Sequence, residues 1–123
     1  MKIAITSTGK TLESDVDPRF GRAAYFIIVD TDTMGFEPVE NANVAAGGGA
    51  GVSSAKTVID AGAKAVLTGN CGPNAERTLT AGGVKLYTGV TGTIKEAAES
   101  FKSGKLTQTS GPNVQSHFGT GGN

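Results

Sequence analysis

The chain has no tryptophan, and its 123 residues include one cysteine, Cys71, and one histidine, His117. A lone cysteine excludes an internal disulfide. It also excludes the familiar self-contained metal sites, since structural zinc takes four ligands and an iron–sulfur cluster normally takes four thiolates. A metal cluster bound here would have to bring its own ligands, be shared by two chains, or be held mainly by shape and anion contacts. Charge of one sign is missing too: 11 Lys and Arg balance 11 Asp and Glu. There is thus no electrostatic case for nucleic acid or an acidic membrane surface as partner. No run of residues approaches the ~20 apolar positions of a membrane span. The opening Met1–Thr6 segment is too short and too alternating for the apolar region of a signal peptide. The expectation is a soluble, cytoplasmic protein of one compact domain.

What the chain has in excess is glycine, with 19 residues. The glycines follow no period, which excludes collagen and simple repeats. They gather at Gly47–Gly48–Gly49 with Gly51, around Cys71, at Gly82–Gly83 and in the last residues. Three of these clusters separate periodic segments and read as turns or ligand loops.

Between the glycines the pattern alternates strand and helix. Lys2–Ser7 alternates and is β-branched, so it predicts a first strand. The continuous apolar run Ala23–Asp30 predicts a buried second strand, and Phe36–Glu40 a third that forms a hairpin with it, at an edge because of Pro38. Val52, Ala55, Val58 and Ile59 lie at helical spacing, and Gly62 stops that helix. Residues 64–68 form a fourth strand, a helix starts at Pro73 and ends at Gly82–Gly83, and residues 84–87 form a fifth strand. Thr93 and Glu96 have capping-box spacing before a helix carrying Ile94, Ala97, Ala98 and Phe101, which stops at Gly104. Residues 1–104 form the expected domain; residues 105–123, rich in Gly, Ser and Thr, are expected to be a flexible tail.

The order β-β-β-α-β-α-β-α implies an α/β fold with a mixed five-stranded sheet. Right-handed crossovers restrict its strand order to 3-2-1-4-5, with only the second strand reversed. The carboxyl ends of the other four strands then share one edge of the sheet, where open α/β sheets bind ligands. The loops 8–22, 41–51, 70–73 and 88–92 all meet there.

Three stretches on that edge carry chemistry. In Asp17–Pro18–Arg19–Phe20–Gly21–Arg22 the two guanidiniums can clamp an anion bidentately, or an arginine can bond Asp15 or Asp17 and merely hold the loop. Gly47–Gly51 leads into a helix and offers bare N–H groups to an anion. It lacks both P-loop and dinucleotide spacing, and close helix packing is its plainer use. Asn70–Cys71–Gly72–Pro73–Asn74 turns a strand into a helix with proline at the first helical position. A thiol at such a helix start is expected to have a lowered pKa, while the plainer use of Cys71 is as a small buried side chain. No histidine stands in the predicted core to act as a base, and no carboxylate set on the first and fourth strands could hold two metals. Hydrolase, transferase and nuclease chemistry lack their parts, so no enzyme is expected.

The run DPRFGRA from Asp17, the GGGAG loop entering a helix, and TGNCGPNA from Thr68 followed by LTAGGVKLY occur in an order and spacing with a known counterpart. They resemble the dinitrogenase iron–molybdenum cofactor biosynthesis family, the small NifX/NifY-like proteins also found as the C-terminal part of NifB. The resemblance covers roughly residues 1–104. It implies a three-layer α/β/α fold of ribonuclease H-like type and a non-catalytic role. That role is binding or carrying the iron–molybdenum cofactor, its precursor or another metal–sulfur cluster, in company with cofactor-assembly proteins. The matching positions are Arg19, Phe20, Gly21, Arg22, Gly47, Gly48, Gly49, Gly51, Asn70, Cys71, Gly72 and Asn74, with Cys71 as a possible metal ligand and His117 a remoter one. Two other classes remain open from the residues alone: a small-anion or nucleotide-binding module, and a protein-interaction module with no cluster.

Overall fold

The computed structural model describes residues 1–41 and 50–109. The strands are β1 (Lys2–Ser7), β2 (Tyr25–Asp30), β3 (Phe36–Glu40), β4 (Ala65–Leu67) and β5 (Lys85–Tyr87), and the helices α1 (Ala50–Asp60), α2 (Pro73–Ala81) and α3 (Ile94–Lys102). They form one sheet in the order β3-β2-β1-β4-β5. β2 is antiparallel to β1 and β3, and β4 is parallel to β1 and β5. Order and directions are those expected.

The alternation of β1 explains the layers. Ile3 and Ile5 face one side, with Ile27, Val29, Ala65 and Leu67, and are covered by Ile94, Ala97 and Ala98 of α3. Ala4 faces the other side, with Phe26, Ile28 and Val66, under Ala55 and Val58 of α1 and Ala75 and Leu79 of α2. A strand whose successive side chains all find cover must be central and buried on both faces. The result is the three-layer α/β/α sandwich that the resemblance implied.

Local signals behave as their chemistry requires. The capping box forms, with Glu96 N–H donating to Thr93 Oγ1 at 3.1 Å and Thr93 N–H to Glu96 Oε1 at 2.9 Å. Gly62, at φ +87°, takes the left-handed conformation that ends α1. β2 starts two residues later than its apolar run suggests, and at that end buried Asn41 bonds the incoming chain. Its N–H donates to Ala24 O at 3.0 Å and its amide Nδ2 to Ala23 O at 2.8 Å. After α3, Leu106 packs on the Ile94 side of the core and Thr109 N–H donates to Leu86 O at 2.7 Å, so residues 105–109 return along β5.

Candidate functional site

The carboxyl edge is assembled by backbone hydrogen bonds between loops distant in sequence. Asn70 N–H donates to Pro18 O at 2.7 Å and Phe20 N–H to Asn70 O at 3.1 Å, a short parallel bridge centred on Arg19. Gly69 makes this crossing possible: a Cβ there would lie 2.6 Å from Pro18 Cα and 2.8 Å from its carbonyl oxygen. Val16 N–H donates to Gly92 O at 2.9 Å and Gly89 N–H to Gly69 O at 2.9 Å, which adds the loop after β5.

On one side of the Pro18–Asn70 crossing lies a groove of about 430 Å³, lined by Arg19, Phe20, Gly21, Gly51, Asn70, Gly72 and Asn74 together with Pro73 and Ala75. That volume is within the usual range of ligand sites. Of the residues the sequence singled out, seven therefore converge on one wall-to-wall hollow. A second groove, also about 430 Å³, lies on the other side of the crossing between Val16, Pro18 and Val90, and shares Asn70. A larger hollow of about 580 Å³ runs along the outer side of α3 between Glu96 and Lys105. It draws on the exposed end of one helix, with none of the loops that meet at the carboxyl edge.

The groove has an electropositive side. Among the described residues no side chain caps α2, and Pro73 occupies its start. Pro73 has no N–H and Glu76 N–H donates to Gly72 O at 3.0 Å, so the first-turn groups that lack intrahelical partners and favour an anion are the N–H groups of Asn74 and Ala75. The same groove is lined by Arg19, whose side chain is 64% exposed. Its Nε is 3.4 Å from Asp17 Oδ1. The loop-holding contact weighed for the arginine is present, through Asp17, and the side chain also lines the groove. Gly51 serves the plainer use foreseen for its loop, since a Cβ would come within 3.2 Å of Ala75 Cβ where α1 meets α2.

Cys71 requires a correction. It is 1% exposed and belongs to the core beneath the groove, among Phe20, Ala75 and Leu79. Its thiol is pushed up from 9.0 to about 12, first by burial and then by the carboxylate of Glu76 in α2. The expected lowering by the helix start fails because desolvation of a buried thiolate outweighs the dipole. Arg22 is exposed and outside the groove lining. Gly47, Gly48, Gly49 and His117 lie outside the described residues. Among the described residues, no group of three or more His, Cys, Asp and Glu is placed to hold a metal ion, and no helix is long and apolar enough to cross a membrane.

Sequence reasoning missed the support beneath the loops. Thr6 and Thr68 are fully buried at the ends of β1 and β4, with their hydroxyls 2.9 Å apart, and Thr6 Oγ1 donates to Asp17 O at 2.6 Å. A hydroxyl at an otherwise apolar strand end was the available signal. Lys10, its Nζ 5.6 Å from the Tyr25 ring centroid, had no such signal.

Known proteins share this architecture. The apo form of the orange protein from Desulfovibrio gigas matches over 91% of this chain and 95% of its own, with 40% identity and a TM-score of 0.89. A candidate NifB protein from Thermotoga matches over 87% and 91%, with 41% identity and a TM-score of 0.76. An uncharacterized protein of Methanocaldococcus jannaschii is 31% identical over 109 residues, 86% of this chain and 89% of that one. The model of the dinitrogenase iron–molybdenum cofactor family matches residues 1–104, and the chain belongs to that family.

Proposed function

We propose that this protein is a non-catalytic carrier of the iron–molybdenum cofactor, its precursor or a related metal–sulfur cluster. The cargo rests in the groove between the Asp17–Arg22 loop and the start of α2. One observation carries the reading: in a member of this family, an exposed arginine and a helix start with no side-chain cap among the described residues line one hollow of ligand size. Metal–sulfur clusters are compact anions, and backbone N–H groups and guanidiniums are their natural partners where thiolates are lacking. Arg19, with Arg22 nearby in sequence, neutralises charge; the first-turn N–H groups of α2 reach sulfides; Phe20, Pro73 and Ala75 shape the wall. That the related orange protein has been solved as an apo form is in keeping with a removable group in that protein.

Cys71 acts here as the packed floor of the groove rather than as an anchor. Ligation would need its thiol to leave the core and lose a proton that burial holds up to about 12. Relative to a free thiol near 9.0, that adds about 4 kcal/mol to the cost of deprotonation. Of the three ways to hold a cluster without a full ligand set, shape and anion contacts fit best.

Metal and sulfide analysis of protein purified without oxygen tests the carrier reading. Metal and acid-labile sulfide in constant ratio to protein, with visible absorption, are expected. A colourless protein that stays colourless after anaerobic incubation with several clusters refutes it. A simple anion-binding module is the second reading, favoured by the same arginine and helix start. Thermal stabilisation by carboxylates or nucleotides, with none by clusters, would select it.

A further inference from the structure

We propose that Asp17 is the positioning residue of the site: a buried carboxylate, anchored from beneath, that fixes the guanidinium of Arg19 at the groove. The inference rests on the reading that Arg19 meets an anion there. Asp17 is 4% exposed, and both its backbone groups are held by Thr6. Its N–H donates to Thr6 O at 2.9 Å, its carbonyl accepts from Thr6 Oγ1 at 2.6 Å, and Thr6 in turn stands 2.9 Å from Thr68 Oγ1. Both threonines are fully buried at the ends of adjacent strands, so Asp17 is tied to the buried centre of the sheet. From that mooring its Oδ1 accepts two hydrogen bonds from Arg19, from the backbone N–H at 2.9 Å and from Nε at 3.4 Å. The first fixes the turn across Pro18. The second engages the inner side of the guanidinium and leaves the two terminal nitrogens, with their paired donors, to meet a ligand.

An arginine that is 64% exposed would otherwise sample many rotamers, and binding would have to immobilise it at a cost in affinity. Held by Asp17, it is ordered before the ligand arrives. A carboxylate beside an anion site also repels the anion, so positioning and charge predict opposite signs for its removal.

The test is Asp17→Asn in the full chain. The amide oxygen can still accept from Arg19 N–H and keep the turn, but the charge that holds Nε is gone. The first readout is solvent exchange of the Arg19 Nε proton by NMR, which needs no ligand. Exchange about fivefold or more faster in the variant, the equivalent of one ordinary hydrogen bond, is expected. Unchanged exchange overturns the proposal. Thr6→Val and Thr6→Ser give a second route if Asp17→Asn does not fold: the valine should speed Arg19 exchange and the serine, which retains the hydroxyl, should not. Equal behaviour of the two also overturns it. The second readout is affinity for inorganic sulfate, expected to fall about fivefold in Asp17→Asn and to be indifferent to that change once Arg19→Ala is present. Tighter sulfate binding in Asp17→Asn would mean that charge outweighs positioning and would refute the inference. Failure of the wild type to take a cluster refutes the carrier reading instead, and the exchange measurement still decides this one.

Discussion

Replacing Gly69 by alanine tests how the site is built. The new Cβ would stand 2.6 Å from Pro18 Cα, 2.8 Å from Pro18 O and 3.0 Å from Pro18 Cβ. Two of these three atoms are backbone, so no side-chain rotation relieves the clash. The loops must separate, and overpacking of this kind costs about 1–3 kcal/mol. Separation also strains the Asn70–Pro18 and Phe20–Asn70 hydrogen bonds, of 2.7 and 3.1 Å. Each contributes about 0.5–1.5 kcal/mol. The sum, about 2–6 kcal/mol, should lower Tm by at least about 8 °C in a domain of this size, followed by circular dichroism or calorimetry. Gly83→Ala is the control. Gly83 has φ +76° with nothing within 4 Å of a Cβ, so only backbone strain of about 1–2 kcal/mol applies. A Gly69→Ala protein within 1 kcal/mol of wild type, by the resolution such comparisons allow, would refute the close crossing and with it the geometry of the groove.

Between about pH 9 and 12 the Cys71 thiol, held up to about 12 against 9.0, stays protonated in the folded protein while the unfolded chain has lost its proton. Its contribution is therefore fully present below about pH 9 and is lost as pH rises toward 12. Urea denaturation should show wild type losing about 1.4 kcal/mol per pH unit above that point relative to Cys71→Ala; parallel curves for the two proteins would contradict the burial of the thiol. Thr93→Ala removes one half of the capping box of α3 and should destabilise by about 0.5–2 kcal/mol in the same assay, without effect on ligand binding.

The sheet was legible because its signals are local and agree with one another. The alternation of Lys2–Ser7, the apolar run into Asp30, Pro38 at an edge and the Thr93–Glu96 box each specify an element, and crossover handedness then restricts strand order. The convergence of Arg19, Gly51, Asn70 and Asn74 followed from topology alone, since each lies on a loop or helix start at the carboxyl ends of the strands. What escaped was direction. Sequence places Cys71 at the turn but does not say whether its side chain faces the groove or the core; packing against Phe20 and Leu79 decides that, and burial then reverses the expected pKa. The supports escaped for the same reason. Thr6 and Thr68 are 62 positions apart, and only the parallel pairing of β1 with β4 brings their hydroxyls together.

Anaerobic titration of metal–sulfur cluster into wild type, Cys71→Ala and Arg19→Ala plus Arg22→Ala, followed by visible absorption, tests the central claim most directly. A charge-assisted contact contributes about 1.5–3 kcal/mol, so loss of Arg19 alone should cost the double arginine variant at least about tenfold in affinity. Cys71→Ala should stay within about threefold of wild type, the allowance for indirect loosening of the floor. The opposite ranking, with binding lost on removal of the thiol and retained without the arginines, would contradict the account.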